Sequence, residues 1–401
     1  MRRRSEPAMQ SPVVTVVIPT RDRAQLLPQA IESVLQQTLT AWELIIVDDG
    51  STDHTADVAA AFTVDPRVCY VRQDPRGVSA ARNHGASRAR APFLAFLDSD
   101  DRFLPGALAA LLEAFGANTG TAMTIGGYDR IDEKGRVLGQ RRQWEESGLS
   151  LEGWLFNCLA INGSVLLRRD WFERVGGFDP DCPPAEDWDL FLRLAAAAAP
   201  MAFVRRSVVQ YRQHAGNSVK DLARQHEGSL RVLRKFFDGQ PAPPAAIASL
   251  RSRAFGWMYA VSARRAFLAG DFDDAERHLR QAVACDPALA TSGRLGVLQF
   301  LLTMPPERVA DAPALRPRII ERLPPALRAS RMDLRLAAAR AELTAFLDAA
   351  HVRDASAASR HLRRALRLDP RMLADRRVLG YVLRRVLRRR PGAPQPVGQP
   401  R

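Results

Sequence analysis

What this chain lacks narrows the field first. No stretch reaches the roughly 18–20 consecutive apolar residues of a membrane-spanning helix, and the run Gly296–Met304 is too short. Met1-Arg2-Arg3-Arg4 is followed by no apolar segment before Pro12, so it does not read as a secretory signal. Cys69, Cys158, Cys182 and Cys285 are scattered without metal or redox spacing, which suits reduced thiols in a cytosolic enzyme. Neither a G-x-G-x-x-G nor a Walker lysine motif occurs at the strand–helix turns, which argues against a dinucleotide fold and a P-loop ATPase. Lysine is scarce as well. Only Lys134, Lys220 and Lys235 stand among 58 basic residues, set against 44 acidic ones, so the formal charge of +14 is nearly all arginine. A GC-rich bacterial genome would explain arginine in place of lysine, but not the positive excess.

What is present is a pair of acidic strand ends. Phe96 to Asp101 read Phe-Leu-Asp-Ser-Asp-Asp, an apolar strand that stops in Asp98, Asp100 and Asp101. Carboxylates this close raise one another's pKa, so a cation or a proton is needed to relieve them. Their oxygens suit Mg²⁺ or Mn²⁺; an acidic loop capping the helix after Pro105 is the plainer alternative. Upstream, Val13–Ile18 is a β-branched run broken by Pro19, and a helical pattern follows through Ile31, Val34 and Leu35. A second apolar run, Leu44–Val47, ends in Asp48-Asp49-Gly50-Ser51 and Asp53 before another helical stretch with Ala56, Val58 and Ala59. Strand, helix, strand, helix predicts a parallel sheet whose ligands bind beyond the carboxyl ends of the strands, where both acidic clusters fall. A turn and helix cap at residues 49–53 is compatible with ligand contact.

These fragments resemble a family 2 glycosyltransferase. Val16-Val17-Ile18-Pro19-Thr20, Ser33-Val34-Leu35-Gln36-Gln37-Thr38 and Val47-Asp48-Asp49-Gly50-Ser51-Thr52-Asp53 stand in that family's order and spacing. Gly77 with Ala81-Arg82-Asn83-His84-Gly85 is similar to its next motif, and Leu97-Asp98-Ser99-Asp100-Asp101 to its D-x-D. Gly176-Gly177-Phe178-Asp179 then leads to Glu186-Asp187-Trp188-Asp189-Leu190, similar to the ED motif, and Tyr211-Arg212-Gln213-His214 resembles a late strand and histidine. The resemblance covers the first half of the chain. It implies an α/β GT-A (Rossmann-like) fold, a mixed, mainly parallel sheet flanked by helices.

Carried over by position, the resemblance places Pro19, Arg21 and Asp49 at the base and ribose of a sugar nucleotide, and Arg82 near its diphosphate. Many members carry an aromatic and an asparagine where this chain has Arg21-Asp22. Asp98 and Asp100 would hold the metal and the ribose side of the donor, with His214 a further metal ligand or a satisfied surface histidine. Breaking a sugar–phosphate bond leaves a nucleoside diphosphate whose charge a metal and nearby arginines neutralise. The acceptor hydroxyl needs a general base, for which Asp187 is the candidate; Glu186 supports the acceptor or shares the role. The alternative for Glu186-Asp187 is a favourable charge at a helix start, given Leu190, Phe191 and Leu194 at helical spacing. Inversion at the anomeric carbon is also implied by the resemblance.

At 401 residues the chain predicts two or three domains. Residues 1–12 are expected to be disordered, 13–222 to form the GT-A domain, and 223–244 a helix and Pro-rich linker. An all-helical domain is expected over 245–390 and a disordered tail over 391–401. Within the helical part, Arg277–Pro287 is echoed by Arg360–Pro370, and Gly270-Asp271-Phe272 before the first copy is tetratricopeptide-like. Two separated copies fall short of a solenoid, so an irregular bundle is expected.

In the last helical stretch Leu379, Val382, Leu383, Val386 and Leu387 share one face, while Arg384, Arg385, Arg388, Arg389 and Arg390 crowd the other. Such a helix can rest on anionic lipid; nucleic acid is the weaker competing partner, for no nucleic-acid module accompanies it. The expected localisation is cytoplasmic, at most peripheral at the inner membrane face. The absence of a Gln-x-x-Arg-Trp motif argues against a processive synthase. The expected function is metal-dependent, inverting transfer of a sugar from a nucleotide-sugar donor, most commonly a UDP-sugar in this family, to a glycan or lipid-linked acceptor in bacterial cell-surface polysaccharide synthesis. An inactive transferase-fold scaffold that binds partners through its helices is the alternative.

Overall fold

The computed structural model describes residues 11–116, 120–142, 148–214, 221–239, 242–304, 311–351, 355–375 and 378. The expected disordered tail and the arginine-rich face of the last helical stretch lie outside them, as does all but the end of the expected disordered N-terminus. The chain divides into two compact units, Met1–Met258 and Tyr259–Arg401.

The first unit is built on a nine-stranded sheet. Its parallel part alternates with helices: β1 (Val14–Thr20), α1 (Leu27–Leu35), β2 (Trp42–Asp48), α2 (Thr55–Phe62), β3 (Val68–Arg72), α3 (Val78–Ser87) and β4 (Phe93–Phe96). Then come β5 (Arg102–Phe103), α4 (Ala107–Gly116), β6 (Met123–Ile131), β7 (Val137–Arg141), α5 (Leu151–Phe156), β8 (Val165–Arg168), α6 (Arg169–Arg174), α7 (Glu186–Ala196), β9 (Met201–Arg212) and α8 (Leu222–Asp238). The strand order is β3-β2-β1-β4-β8-β6-β9-β5, with β7 pairing β6. β3, β2, β1 and β4 are parallel, whereas β8 runs antiparallel to both β4 and β6.

Pro19 does not end the first strand as expected; β1 runs on to Thr20, with Pro19 paired to Val47. The reason lies in the ladder. A strand residue's N–H and C=O point to the same side, and Val17 uses that side to accept from Leu97 N at 3.0 Å. Pro19, two residues on, therefore faces β4, whose pairing with β1 stops at Val17↔Phe96. Its missing N–H falls where no strand awaits it.

Both faces of this sheet are covered, which is why its strands read as unbroken apolar runs. Val16, Ile18, Leu44 and Ile46 share a core with Leu27, Ile31 and Val34 of α1 and with Leu108 and Leu111 of α4. On the opposite face α3 lies so close that a Cβ on Gly85 would stand 2.3 Å from Val17 Cγ1 and 3.1 Å from Val47 Cγ2.

The second unit is helical. After α9 (Ala245–Ala248), which precedes the boundary, come α10 (Arg251–Ala269), α11 (Phe272–Cys285), α12 (Arg294–Leu302), α13 (Ala312–Glu321), α14 (Arg331–His351) and α15 (Ala355–Leu368). The sequence echo has a structural counterpart. Asp286 ends α11 and caps the following 3₁₀ turn by accepting from Ala288 N at 3.1 Å, and Asp369 does the same after α15 by accepting from Arg371 N at 3.0 Å. Each Asp-Pro thus stops one helix and starts a turn. Ala263 and Phe267 of α10 share a core with Ala275 and Leu279 of α11. All four cysteines are free.

Gly85→Ala should lower stability by about 1–3 kcal/mol through overpacking. In denaturant titrations the double variant with Val17→Ala should lose less than the sum of the single losses; additive losses would exclude this contact as the cause.

Candidate active site

Leu97 extends the apolar end of β4, hydrogen bonding to Val17, and the chain then turns through Asp98, Ser99, Asp100 and Asp101. The three acids are held apart by different partners. Asp98 accepts from Arg82 Nη2 at 2.6 Å, and Asp100 Oδ2 lies 2.8 Å from His214 Nε2. Asp101, 2% exposed, accepts from the backbone N–H of Arg212 at 2.8 Å. Burial, then the charges of Asp100 and Asp98, push the Asp101 carboxyl well above its ordinary pKa.

Arg82 joins this loop to the ED segment. It lies on α3, is 3% exposed, and its other terminal nitrogen donates to Glu186 Oε1 at 2.8 Å. Burial works against its charge, yet Asp98 and Glu186 outweigh that and raise its pKa beyond the usual arginine value. Glu186 and Asp187 open α7, so they do occupy a helix start, where its dipole favours acids. Their environments differ. Glu186 is spent on Arg82, although its Oε2 is buried without a partner. Asp187 keeps some contact with solvent, but its carboxyl sits deep enough that burial, then the Glu186 charge, push it up to about 7.

A neighbouring contact explains two of the sequence motifs together. Asn83, next to Arg82, donates to Phe178 O at 2.7 Å and accepts from Phe178 N at 2.9 Å. Gly177, at φ +69°, must be glycine here, for a Cβ would meet Asn83 Oδ1 at 2.7 Å. Arg193 of α7 binds Asp189 and the carbonyl oxygens of Val175 and Gly177. The Ala-Arg-Asn segment therefore seats the Gly-Gly-Phe-Asp loop, which in turn leads into α7.

The residues expected at the nucleotide lie at the carboxyl ends of β1 and β2. Pro19 is buried in β1, and Arg21 is exposed with its Nε 3.9 Å from Asp22. Asp49 is 4% exposed and largely committed: its Oδ1 accepts from Gln73 Nε2 and Arg76 N, and its Oδ2 from Gly77 N, all at 2.8 Å. A carboxylate offers about four acceptor positions, so one on Oδ2 remains for a ligand.

Sequence reasoning missed Arg212, which is 2% exposed. Its Nε donates to Asp100 O at 2.9 Å, its Nη1 to Glu133 O at 2.9 Å and its Nη2 to Gln29 Oε1 at 2.7 Å. It fixes the acidic turn against the β6–β7 connection and α1. Its place two residues before His214 was the signal available.

Asp98, Asp100 and His214 do not all lie within 4.8 Å of one another; among the described residues the group that does is Asp179, Cys182 and Asp189. That group does not fit a metal. Asp179 is paired with Lys235 and Asp189 with Arg193, and burial with both carboxylates pushes the Cys182 thiol up to about 12. Asp100 and His214 fit better. Ligands at about 2.1 Å from an octahedral ion stand about 3 Å apart when adjacent, close to their 2.8 Å separation. The carboxylate oxygen suits Mg²⁺ or Mn²⁺, whereas an imidazole is more usual on Zn, Fe, Cu or Ni; Asp98 has its second oxygen to add.

A parallel sheet that turns antiparallel beyond its central strand, with acids at the strand ends, defines a domain of the GT-A fold. Residues 15–176 match the model of glycosyl transferase family 2, and this part of the chain belongs to that family. Chondroitin synthase of Escherichia coli is 27% identical over 226 residues, which cover 56% of this chain and 32% of that protein. A PGL/p-HBAD biosynthesis glycosyltransferase of Mycobacterium tuberculosis is 28% identical over 215 residues, 52% of this chain and 80% of that one. Among solved structures, a mannosyltransferase from Pyrobaculum calidifontis in complex with GDP-Man and Mn²⁺ is 17% identical with a TM-score of 0.49, covering 77% of this chain and 86% of that one. The matched region spans 36% of the first of the curated relatives, a glycosyltransferase of Rickettsia felis, and 32% of the second, from Rickettsia bellii.

Because folding raises the Asp101 pKa, its ionisation opposes folding above the unfolded carboxylate value of about 3.9. Asp101→Asn keeps the acceptor for Arg212 and removes the charge. Its melting temperature should rise by about 2–4 °C near neutral pH, with the gain shrinking toward about pH 4. A lower melting temperature at neutral pH would contradict this account of the acidic turn.

Proposed function

We propose that this protein transfers a sugar from a nucleotide-sugar donor, a UDP-sugar foremost, to a hydroxyl of a glycan or lipid-linked acceptor, with inversion at the anomeric carbon. The observation that carries the reading is the contrast between two neighbouring carboxyls. Glu186 is fixed on Arg82, whereas Asp187 is held at a pKa of about 7 on the same helix start. A general base works best with a pKa near the working pH, and perturbed carboxyls gather at functional sites.

In this reading the acceptor oxygen attacks the anomeric carbon while its proton passes to Asp187. The bond from that carbon to the phosphate oxygen breaks, and a nucleoside diphosphate leaves. Pro19, Arg21 and Asp49 border the base and ribose, and Arg82 holds Asp98 on the donor side. Asp98, Asp100 and His214 would hold a divalent ion, Mg²⁺ or Mn²⁺, whose positive charge would offset that of the departing diphosphate. Glu186 orients Arg82 through its Oε1.

A place in bacterial cell-surface polysaccharide synthesis is part of this proposal and rests on the family resemblance. No helix among the described residues is long and apolar enough to cross a membrane. A cytoplasmic enzyme touching the inner membrane face through residues 379–390 belongs to the same proposal. Residues 13–222 would form its catalytic domain and 245–390 its helical domain, joined by 223–244.

Asp187→Asn should lower kcat by about 10²–10⁴-fold while leaving donor affinity within about twofold. Asp100→Ala should instead abolish the metal-dependent part of donor binding by calorimetry. Equal loss of donor affinity in both variants would overturn this division of roles.

The base must be ionised to act, so kcat/KM should fall about tenfold per pH unit below about 7 and level off above it. Asp187→Asn should remove that limb. A limb that persists unchanged in the variant's residual activity would assign it to another group.

A further inference from the structure

Asp49 is the last member of a hydrogen-bonded chain that begins on the outer side of α3. Arg88 Nε donates to His84 Nε2 at 3.1 Å, which makes that nitrogen the acceptor and places the ring proton on Nδ1. Nδ1 lies 2.8 Å from Gln73 Oε1 and donates to it. With its oxygen so engaged, the Gln73 amide presents Nε2 to Asp49 Oδ1 at 2.8 Å. A reversed amide would set its oxygen against a carboxylate and its NH₂ against a ring N–H, so one tautomer of His84 fixes one orientation of Gln73.

The chain has a defined setting. Gln73 leaves the end of β3 with its backbone N–H on Asp48 O at 2.9 Å, and Asp49 N donates to Thr20 O at 2.9 Å beside Pro19. His84 and Gln73 also line a groove of about 880 Å³, with Arg72, Asp74, Arg76 and Pro180 among its walls. None of Asp98, Asp100, Glu186 and Asp187 lines it. The charged groups facing the ring are thus Arg76 and Arg88, with Arg72 and Asp74 further along the groove. Burial, then Arg88 and Arg76, hold the imidazole below its ordinary pKa, in keeping with the neutral tautomer.

We propose that His84 and Gln73 are positioning residues which hold Asp49 and the 73–77 loop in one arrangement and thereby set affinity for the nucleotide of the donor. This rests on the reading of Asp49 as a nucleotide contact. His84 and Arg82 are two positions apart on α3, nearly opposite in direction, so one helix serves the nucleotide wall with one face and the acidic turn with the other. Three hydrogen bonds within the loop keep Asp49 aligned, and loss of the chain's outer link frees the Gln73 amide to turn.

Calorimetric titration of UDP, dTDP, GDP and CDP into the full chain with Mn²⁺ tests the proposal, using His84→Ala and His84→Asn. The asparagine amide nitrogen stands as many bonds from the backbone as imidazole Nδ1, so it can renew the donation to Gln73. His84→Ala should weaken the favoured nucleotide by about three- to tenfold, raise the donor KM correspondingly and leave kcat within about twofold. His84→Asn should return affinity to within about twofold of the original chain. Unchanged binding in His84→Ala, or binding in His84→Asn as weak as in His84→Ala, overturns the proposal while leaving the transferase reading in place. Failure of the original chain to bind any of the four nucleotides overturns both. Nitrogen-15 chemical shifts of the His84 ring provide a readout that needs no ligand: a proton on Nε2 in place of Nδ1 also overturns it.

Discussion

The site depends on one buried cation. Arg82 reaches from α3 to Asp98 on one side and, 104 positions further along the chain than itself, to Glu186 on the other. A guanidinium suits this task because its rigid fork donates in two directions and it does not lose its proton. Burying it without its partners would be prohibitive, and burying those acids without it would be as well. The three side chains therefore require one another, and the end of β4 and the start of α7 are held in a common frame. Asp187, one residue beyond Glu186, inherits its position from that frame.

Other contacts extend the same logic around the acidic turn. Arg212 holds the main chain at Asp100 and Asp101 from the side of β9, and Asn83 fastens the Gly-Gly-Phe-Asp loop from the side of α3. Polar groups at the sheet's carboxyl end are thus satisfied by side chains on distant segments. That arrangement suits a binding surface, where backbone must be irregular yet fixed.

Much of this was legible in the sequence because its signals are local. Apolar runs gave β1, β2 and β4, the last two ending in acids, and the helical spacing of Ile31, Val34 and Leu35 gave α1. Pro19 misled because local grammar treats proline as a strand breaker, while its tolerance depends on where a neighbouring strand stops. The acids and His214 could each be nominated from motifs. Their pairing could not, for it joins turns 114 residues apart. Arg212 was hidden by composition, since one structural arginine does not stand out in a chain so rich in them. Asp49 was legible as important, but its commitment to Gln73 and two backbone amides belongs to tertiary structure alone. Asp286 and Asp369 were the reverse case, where a repeated dipeptide foretold a repeated cap.

Those two caps have an evolutionary consequence. Each Asp caps the turn that follows its helix with a bond made inside that turn, and after α15 Arg335 of α14 adds bonds to the carbonyls of Arg367 and Leu368. A hairpin bounded in this way can be copied, lost or exchanged without leaving a frayed end behind. Helical units of different lengths can then arise beside one family 2 domain by recombination at these joints, the second unit growing or shrinking while the first is inherited intact.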